Sequence, residues 1–273
     1  EINKKIDLVV VAVTSKGIDW ASVELSKVIK NNVPILILTK GLSINNNYYE
    51  VLAHKMERLL KKNGIKETNI SAAGGPCLAK ELANKAHTSV VFANNDIKVV
   101  EQISKLVSTD YYHVSTSNDV IGVETCAAIK NIFSMAVGAS QGLSDSTKSK
   151  EKNYLNTAAA LIQESIYEMI IFVEKLKGKK ETVIGLAGIG DLYVSADGGR
   201  NSKMGEYLGQ GIKFHEAKKT KMPNITVEGA DLALEIGPKI KKDFDIKTLP
   251  LMISMINTIC EEKPLIVDWK NFK

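Results

Sequence analysis

The chain has 273 residues, 44% hydrophobic and 25% charged, enough apolar material for one large or two medium cores, which argues against a disordered polypeptide. Its net charge of +5 comes from lysines and acids intermingled along the chain, a pattern that argues against nucleic acid as the main partner and still suits a small anion. No unbroken apolar run reaches the roughly 18 residues of a membrane span, no signal segment opens the chain, and Cys77, Cys126 and Cys260 lie far apart. The expectation is a cytoplasmic protein without a membrane span.

In chain order, the first third alternates short apolar runs with helical patterns. Ile6 to Val13 reads as a strand, Asp19 to Asn31 as a helix, Pro34 to Thr39 as a strand and Tyr48 to Asn63 as a helix. The rhythm repeats with Asn69 to Ala73, Pro76 to Ala86, Thr88 to Ala93, Ile97 to Val107 and Tyr111 to Thr116. Continuous β-branched strands such as Leu8 to Val13 suit a sheet covered on both faces, and alternation with helices predicts βαβ units. Residues 1–117 are therefore expected to form part of a doubly wound, Rossmann-type nucleotide-binding domain of the α/β class. From about Ser117 the texture turns helical: Val120 to Gly138, Asn156 to Leu176, Ala230 to Lys242 and Pro250 to Cys260, with a glycine-rich loop at Gly185 to Gly190. Residues 118–273 are expected to form an all-helical domain, with a cleft between the two parts as the default ligand site.

Several residues stand out for chemistry. Lys130 falls on a helical face made by Val123, Cys126, Ala127, Phe133, Ser134 and Val137. A lysine there either snorkels past the helix edge or is partly desolvated, and desolvation favours general acid–base work. Asn131 beside it can orient a ligand oxygen. The segment Gly185 to Asp191 delivers one carboxylate, and Gly198-Gly199-Arg200-Asn201 opens a helix with an arginine fork. Of 36 basic residues only Arg58 and Arg200 are arginine, so a guanidinium at a helix start is a marked choice for holding phosphate, against the alternative of a solvated first-turn residue. Lys40 follows the strand Pro34 to Thr39, and Gly74-Gly75-Pro76 follows Asn69 to Ala73, both at strand ends where doubly wound sheets take ligands; a solvated loop lysine is otherwise the commoner explanation of the first, and a plain turn would account for the second. His54, His87, His113 and His215 have no metal-ligand spacing, and no metal is expected.

Taken together these segments resemble the NAD(P)-dependent glycerol-3-phosphate dehydrogenase family. The matching stretches are Thr39-Lys40-Gly41-Leu42, Gly75-Pro76 with Ala79 and Glu81, and the run from Asp119 through Lys130-Asn131-Ile132. Gly188-Ile-Gly-Asp191-Leu, Gly199-Arg200-Asn201 and Val227-Glu228-Gly229 complete the set. The resemblance implies a Rossmann domain followed by a helical domain of the 6-phosphogluconate dehydrogenase-like type. It also implies hydride transfer between NAD or NADP and carbon 2 of glycerol 3-phosphate, a small phosphorylated substrate, and a homodimer. By position, Lys130 becomes the general acid–base, Asp191 the group that sets its protonation, and Lys40 a second cation reaching substrate and cofactor. Arg200 and Asn201 become the phosphate grip, with Arg200 also touching cofactor. Gly75, Asn131 and Ser195 become further substrate contacts, and Ala79, Thr226 and Glu228 lie along the cofactor.

The family's opening strand, glycine-rich turn and acidic second strand would precede Glu1, so the resemblance covers the family without that unit. Val13-Thr14-Ser15 stands where the family has valine-proline, Ser195 where threonine is common, and Cys77 where serine or asparagine is usual. Two other readings are set against this one: a hydroxyacid dehydrogenase of the same fold group, in which lysine and asparagine stand a helical turn apart, and a non-catalytic relative that binds a phosphate metabolite.

Overall fold

The computed structural model describes residues 6–29, 32–144 and 154–272. They build two compact units, Glu1–Ala127 with Val173–Ala187, and Ala128–Phe172 with Gly188–Lys273.

The first unit holds strands β1 (Val9–Val11), β2 (Pro34–Ile37), β3 (Leu42–Asn45), β4 (Tyr48–Val51), β5 (Asn69–Gly74), β6 (Thr88–Ala93) and β7 (Tyr112–Ser117). Between them run helices α1 (Ile18–Ser26), α2 (Leu52–Lys62), α3 (Ala79–Ala83) and α4 (Ile97–Val107). The main sheet has the order β1-β2-β5-β6-β7. Both β2 neighbours are parallel to it, as βαβ logic requires, and so is the β6–β7 pair that α4 connects.

One pairing departs from the alternation: β5 and β6 run antiparallel. Only 13 residues separate Gly74 from Thr88, and α3 spans five of them. A helix of that length rises about 7.5 Å, too little to carry the chain back along a six-residue strand of about 20 Å. The chain therefore re-enters the sheet from the end it left.

A second departure lies in the segment expected to be helical from Tyr48. Leu42–Asn45 and Tyr48–Val51 instead form an antiparallel hairpin closed by Asn46 and Asn47, both in the left-handed region at φ 48° and 65°. Asparagine tolerates that backbone, and two such residues between strands form the turn whose twist suits a hairpin.

Ile18, Ile35, Ile37, Leu52, Met56 and Leu60 pack with Val120 and Val123 into the core of the unit. A fully buried carboxylate organises the same region. Glu124 Oε2 accepts the Ala53 amide at 2.9 Å, closing an otherwise uncapped start of α2. Burial pushes the Glu124 carboxyl up to about 8, against the lowering effect of the Ala53 and Leu52 amides.

The long helix α5 (Val120–Ser144) continues into the second unit, which also contains most of α6 (Leu155–Lys175). The short helix α7 (Lys180–Val183) belongs to the first unit. In the second unit follow α8 (Asp191–Ala196), α9 (Arg200–Gly209), α10 (Phe214–Thr220), α11 (Glu228–Asp243) and α12 (Pro250–Cys260). By length and composition α5 could cross a membrane, but 94% of its apolar window is buried within the protein, the condition of a core helix. Asp119 starts α5: its Oδ1 accepts the Gly122 amide at 2.9 Å, while Oδ2 takes the Lys179 amide and the Thr182 hydroxyl. Glu168 of α6 plays the same part for α12, accepting the Leu251 and Met252 amides at 2.5 and 2.8 Å.

Candidate active site

The site is built where α5, α8 and α9 approach within the second unit. Closeness of α5 and α9 is a property of their glycines. A Cβ on Gly205 would lie 1.9 Å from the Met135 carbonyl oxygen, and one on Gly138 would lie 2.2 Å from that of Ser202. No side chain can occupy either place, so the two backbones touch, and the start of α9 is held against the middle of α5.

Lys130 is fixed by that arrangement. Its face of α5 is buried, and so is its ammonium: Nζ donates to Asp191 Oδ1 at 2.7 Å, with side-chain exposures of only 6% for lysine and 3% for aspartate. It also donates to Ser195 Oγ, which lies 3.5 Å from the same aspartate oxygen. Of the two readings open in the sequence, desolvation is the one realised; the stem does not carry the charge out to water. Asp191 and Ser195 stand one turn apart on α8, so both face Lys130. The glycine-rich segment before them is a π-helical turn, Leu186–Gly190, leading straight into α8, where the sequence suggested a loop.

Asn131 turns to α9. Asn201 Nδ2 donates to Asn131 Oδ1 at 3.0 Å, and Asn201 Oδ1 accepts the Gly229 amide at 2.9 Å. Both asparagines are buried, and a Cβ on Gly229 would meet the Asn131 carbonyl oxygen at 2.3 Å. One side chain thus fastens the start of α11 to α5. At the rim of this cluster Arg200 Nη2 donates to Glu228 Oε1 at 2.6 Å, with both side chains about half exposed. Arg200 and Glu228 are the first residues of α9 and α11. Thr226 is exposed two residues before Glu228.

The remaining singled-out residues belong to the first unit. Lys40 is half-buried just beyond β2, beside Thr39, whose hydroxyl donates to the Val13 carbonyl at 2.7 Å. Gly75 follows β5 with φ 97°, a backbone that side chains rarely adopt, and its Cβ position lies 3.3 Å from Val90 Cα. Ala79 is exposed at the start of α3. Because β1, β2 and β5 are mutually parallel, the loops carrying Val13-Thr14-Ser15, Lys40 and Gly75 lie at one end of the sheet, the carboxyl end. That end is where a doubly wound sheet receives a dinucleotide, and a lysine beside glycine-rich backbone suits its phosphates. These residues fit such a cofactor. A cavity of about 290 Å³ elsewhere in this unit, lined among others by His54, Glu57, Asn69, Asn94 and Asp96, contains none of the residues expected to bind substrate or cofactor.

Sequence reasoning did not find the Arg200–Glu228 pair or the buried carboxylates Glu124 and Glu168. A separation of 28 positions between Arg200 and Glu228 hides the first. For Glu124 the available signal is an acidic residue in the mostly apolar α5, the kind of signal that marks Lys130; Glu168 is one of three glutamates on α6 and carries no such mark.

Among known proteins, the model of the NAD-dependent glycerol-3-phosphate dehydrogenase C-terminus matches residues 119–267, and that of the N-terminus of the same family matches residues 1–100. An NADP(+)-dependent glycerol-3-phosphate dehydrogenase of Archaeoglobus fulgidus is 32% identical over 77% of this chain and 62% of its own length. A glycerol-3-phosphate dehydrogenase [NAD(P)+] of Agathobacter rectalis is 30% identical over 97% of the chain and 74% of its own. The chain therefore spans less than two thirds of the archaeal relative. Among solved structures, a glycerol-3-phosphate dehydrogenase from Coxiella burnetii superposes with a TM-score of 0.77 at 25% identity, over 94% of this chain and 74% of that one. A Plasmodium falciparum structure, at 20% identity and a TM-score of 0.81, shares the fold.

Proposed function

The chain belongs to the NAD-dependent glycerol-3-phosphate dehydrogenase family, and from that premise we propose that the protein containing it interconverts sn-glycerol 3-phosphate and dihydroxyacetone phosphate with NAD or NADP. The observation that carries the reading is the buried Lys130–Asp191 pair at 2.7 Å, because an ion pair set among apolar residues needs a reason beyond stability.

In the reducing direction, Lys130 gives a proton to the substrate carbonyl oxygen as carbon 2 gains a hydride; in the oxidising direction it takes the hydroxyl proton. When bound, the nicotinamide supplies or accepts that hydride. Asp191 fixes the Nζ position and compensates its charge, and Ser195 shares the ammonium and can touch the substrate oxygen. Asn131, clasped by Asn201, is held so that its amide faces one way. Arg200 with Asn201 takes the substrate phosphate, and Arg200 also reaches the cofactor. Lys40 supplies a second positive charge, and Gly75 lets backbone approach the substrate. Ala79, Thr226 and Glu228 line the cofactor path. Family membership further supports a small phosphorylated substrate, a homodimer and a cytoplasmic location, which light scattering and cell fractionation would check.

The test is oxidation of NADH and of NADPH by dihydroxyacetone phosphate in the full protein. Turnover with this substrate, lost on Lys130→Ala, upholds the proposal; a folded protein without turnover in either direction overturns it.

A further inference from the structure

We infer that Glu228 is a competitor built into the anion seat: its carboxylate occupies the Arg200 guanidinium, and a phosphate-bearing ligand must displace it. The inference rests on the proposed role of Arg200 as the phosphate grip.

The contact is made through one guanidinium nitrogen, Nη2, to one carboxylate oxygen at 2.6 Å. A guanidinium can engage two oxygens at once, and a phosphate dianion offers them with twice the charge. Both partners are about half exposed, at 56% and 47%, so a dissolved anion reaches the pair without any helix moving. The next residues differ completely. Asn201 is buried and held at both ends of its amide, by Asn131 and by the Gly229 backbone. The two helix starts therefore stay together while the Arg200–Glu228 contact opens. Glu228 keeps the arginine held at the rim of the site and lowers, by one common factor, the affinity of any anion that must displace it. Once released, its carboxylate is free to accept hydrogen bonds from the hydroxyl groups of a ligand lying along α11.

The experiment is calorimetric titration of inorganic phosphate into the full protein, as wild type, Glu228→Gln, Arg200→Ala and the double variant. Asp231→Asn, also in the first turn of α11, controls for general loss of negative charge. An exposed pair of this kind corresponds to roughly a 1.5- to 5-fold factor in binding. Glu228→Gln is expected to tighten phosphate binding by about that factor, Arg200→Ala to weaken it, and the Glu228 effect to vanish in the double variant. Asp231→Asn should leave the affinity within about 1.5-fold of wild type, a bound set by the same exposed-pair range. If Arg200→Ala weakens binding but Glu228→Gln leaves it unchanged or weaker, or if Asp231→Asn mimics Glu228→Gln, Glu228 is not a competitor and the inference falls while the phosphate grip stands. Phosphate binding indifferent to Arg200→Ala overturns the inference together with the assigned role of Arg200.

Discussion

Replacing Lys130 with methionine keeps the stem and removes the charge, which makes it a direct probe of how the site is built. Asp191 would then be left with 3% of its side chain exposed and its ammonium partner at 2.7 Å gone, beside the Ser195 hydroxyl at 3.5 Å. Breaking one side of a buried ion pair costs about 3–5 kcal/mol, because the remaining charge is desolvated without compensation. Asp191→Leu should be destabilising by a similar amount for the reciprocal reason. The double variant Lys130→Met/Asp191→Leu removes both charges and should recover most of the loss, giving a coupling energy of at least about 3 kcal/mol. Urea unfolding followed by circular dichroism on all four proteins, with the slopes held equal, reads this directly. A Lys130→Met protein within about 0.5 kcal/mol of wild type, the range of an ordinary surface substitution, would refute the argument that the pair is dry.

Three further outcomes follow from the packing. Gly205→Ala places a Cβ against the Met135 carbonyl oxygen; α9 must move off α5, at a cost of about 1–3 kcal/mol, and KM for the phosphorylated substrate should rise as Arg200 and Asn201 shift. Asn201→Ala leaves Asn131 Oδ1 and the Gly229 amide without this partner, and thermal unfolding should report a loss of about 1–3 kcal/mol for each buried group left unsatisfied. Glu124 has its folded-state carboxyl raised from 4.5 to about 8, so the native protein holds a proton that the unfolded chain has released. Its contribution is fully present below about pH 4.5 and is lost as pH rises through 8, a swing on the order of 4–5 kcal/mol. Glu124→Gln removes that swing, its amide replacing an oxygen that has no partner; unchanged pH dependence of unfolding between pH 5 and 9 would contradict it.

The two central site groups were legible in different ways. Lys130 was visible because a lone lysine interrupts an apolar helical face, and Arg200 because the chain has one other arginine. Nothing local tied Lys130 to Asp191, 61 residues on; their nearness came from the family resemblance, and the geometry comes from the fold. The hairpin at Asn46-Asn47 carried a usable signal, two residues suited to positive φ between short β-rich runs. The strong apolar periodicity of α2 outweighs it, because that pattern reads back continuously over β4. The antiparallel β5–β6 pair could be anticipated only by asking whether a 13-residue connection can cross the sheet. The Arg200–Glu228 contact depends on where α9 and α11 begin relative to each other, information that periodicity does not contain.

The most direct measurement is a steady-state comparison of wild type, Lys130→Ala and Asp191→Asn in the full protein, with dihydroxyacetone phosphate and either reduced nicotinamide. Loss of a positioned general acid predicts a fall in kcat of about 10²–10⁴-fold for Lys130→Ala, with substrate binding retained. Asp191→Asn should also lose turnover, since the amide no longer balances the lysine charge. Turnover in Lys130→Ala close to wild type would contradict the assignment of the proton-transfer step to this site.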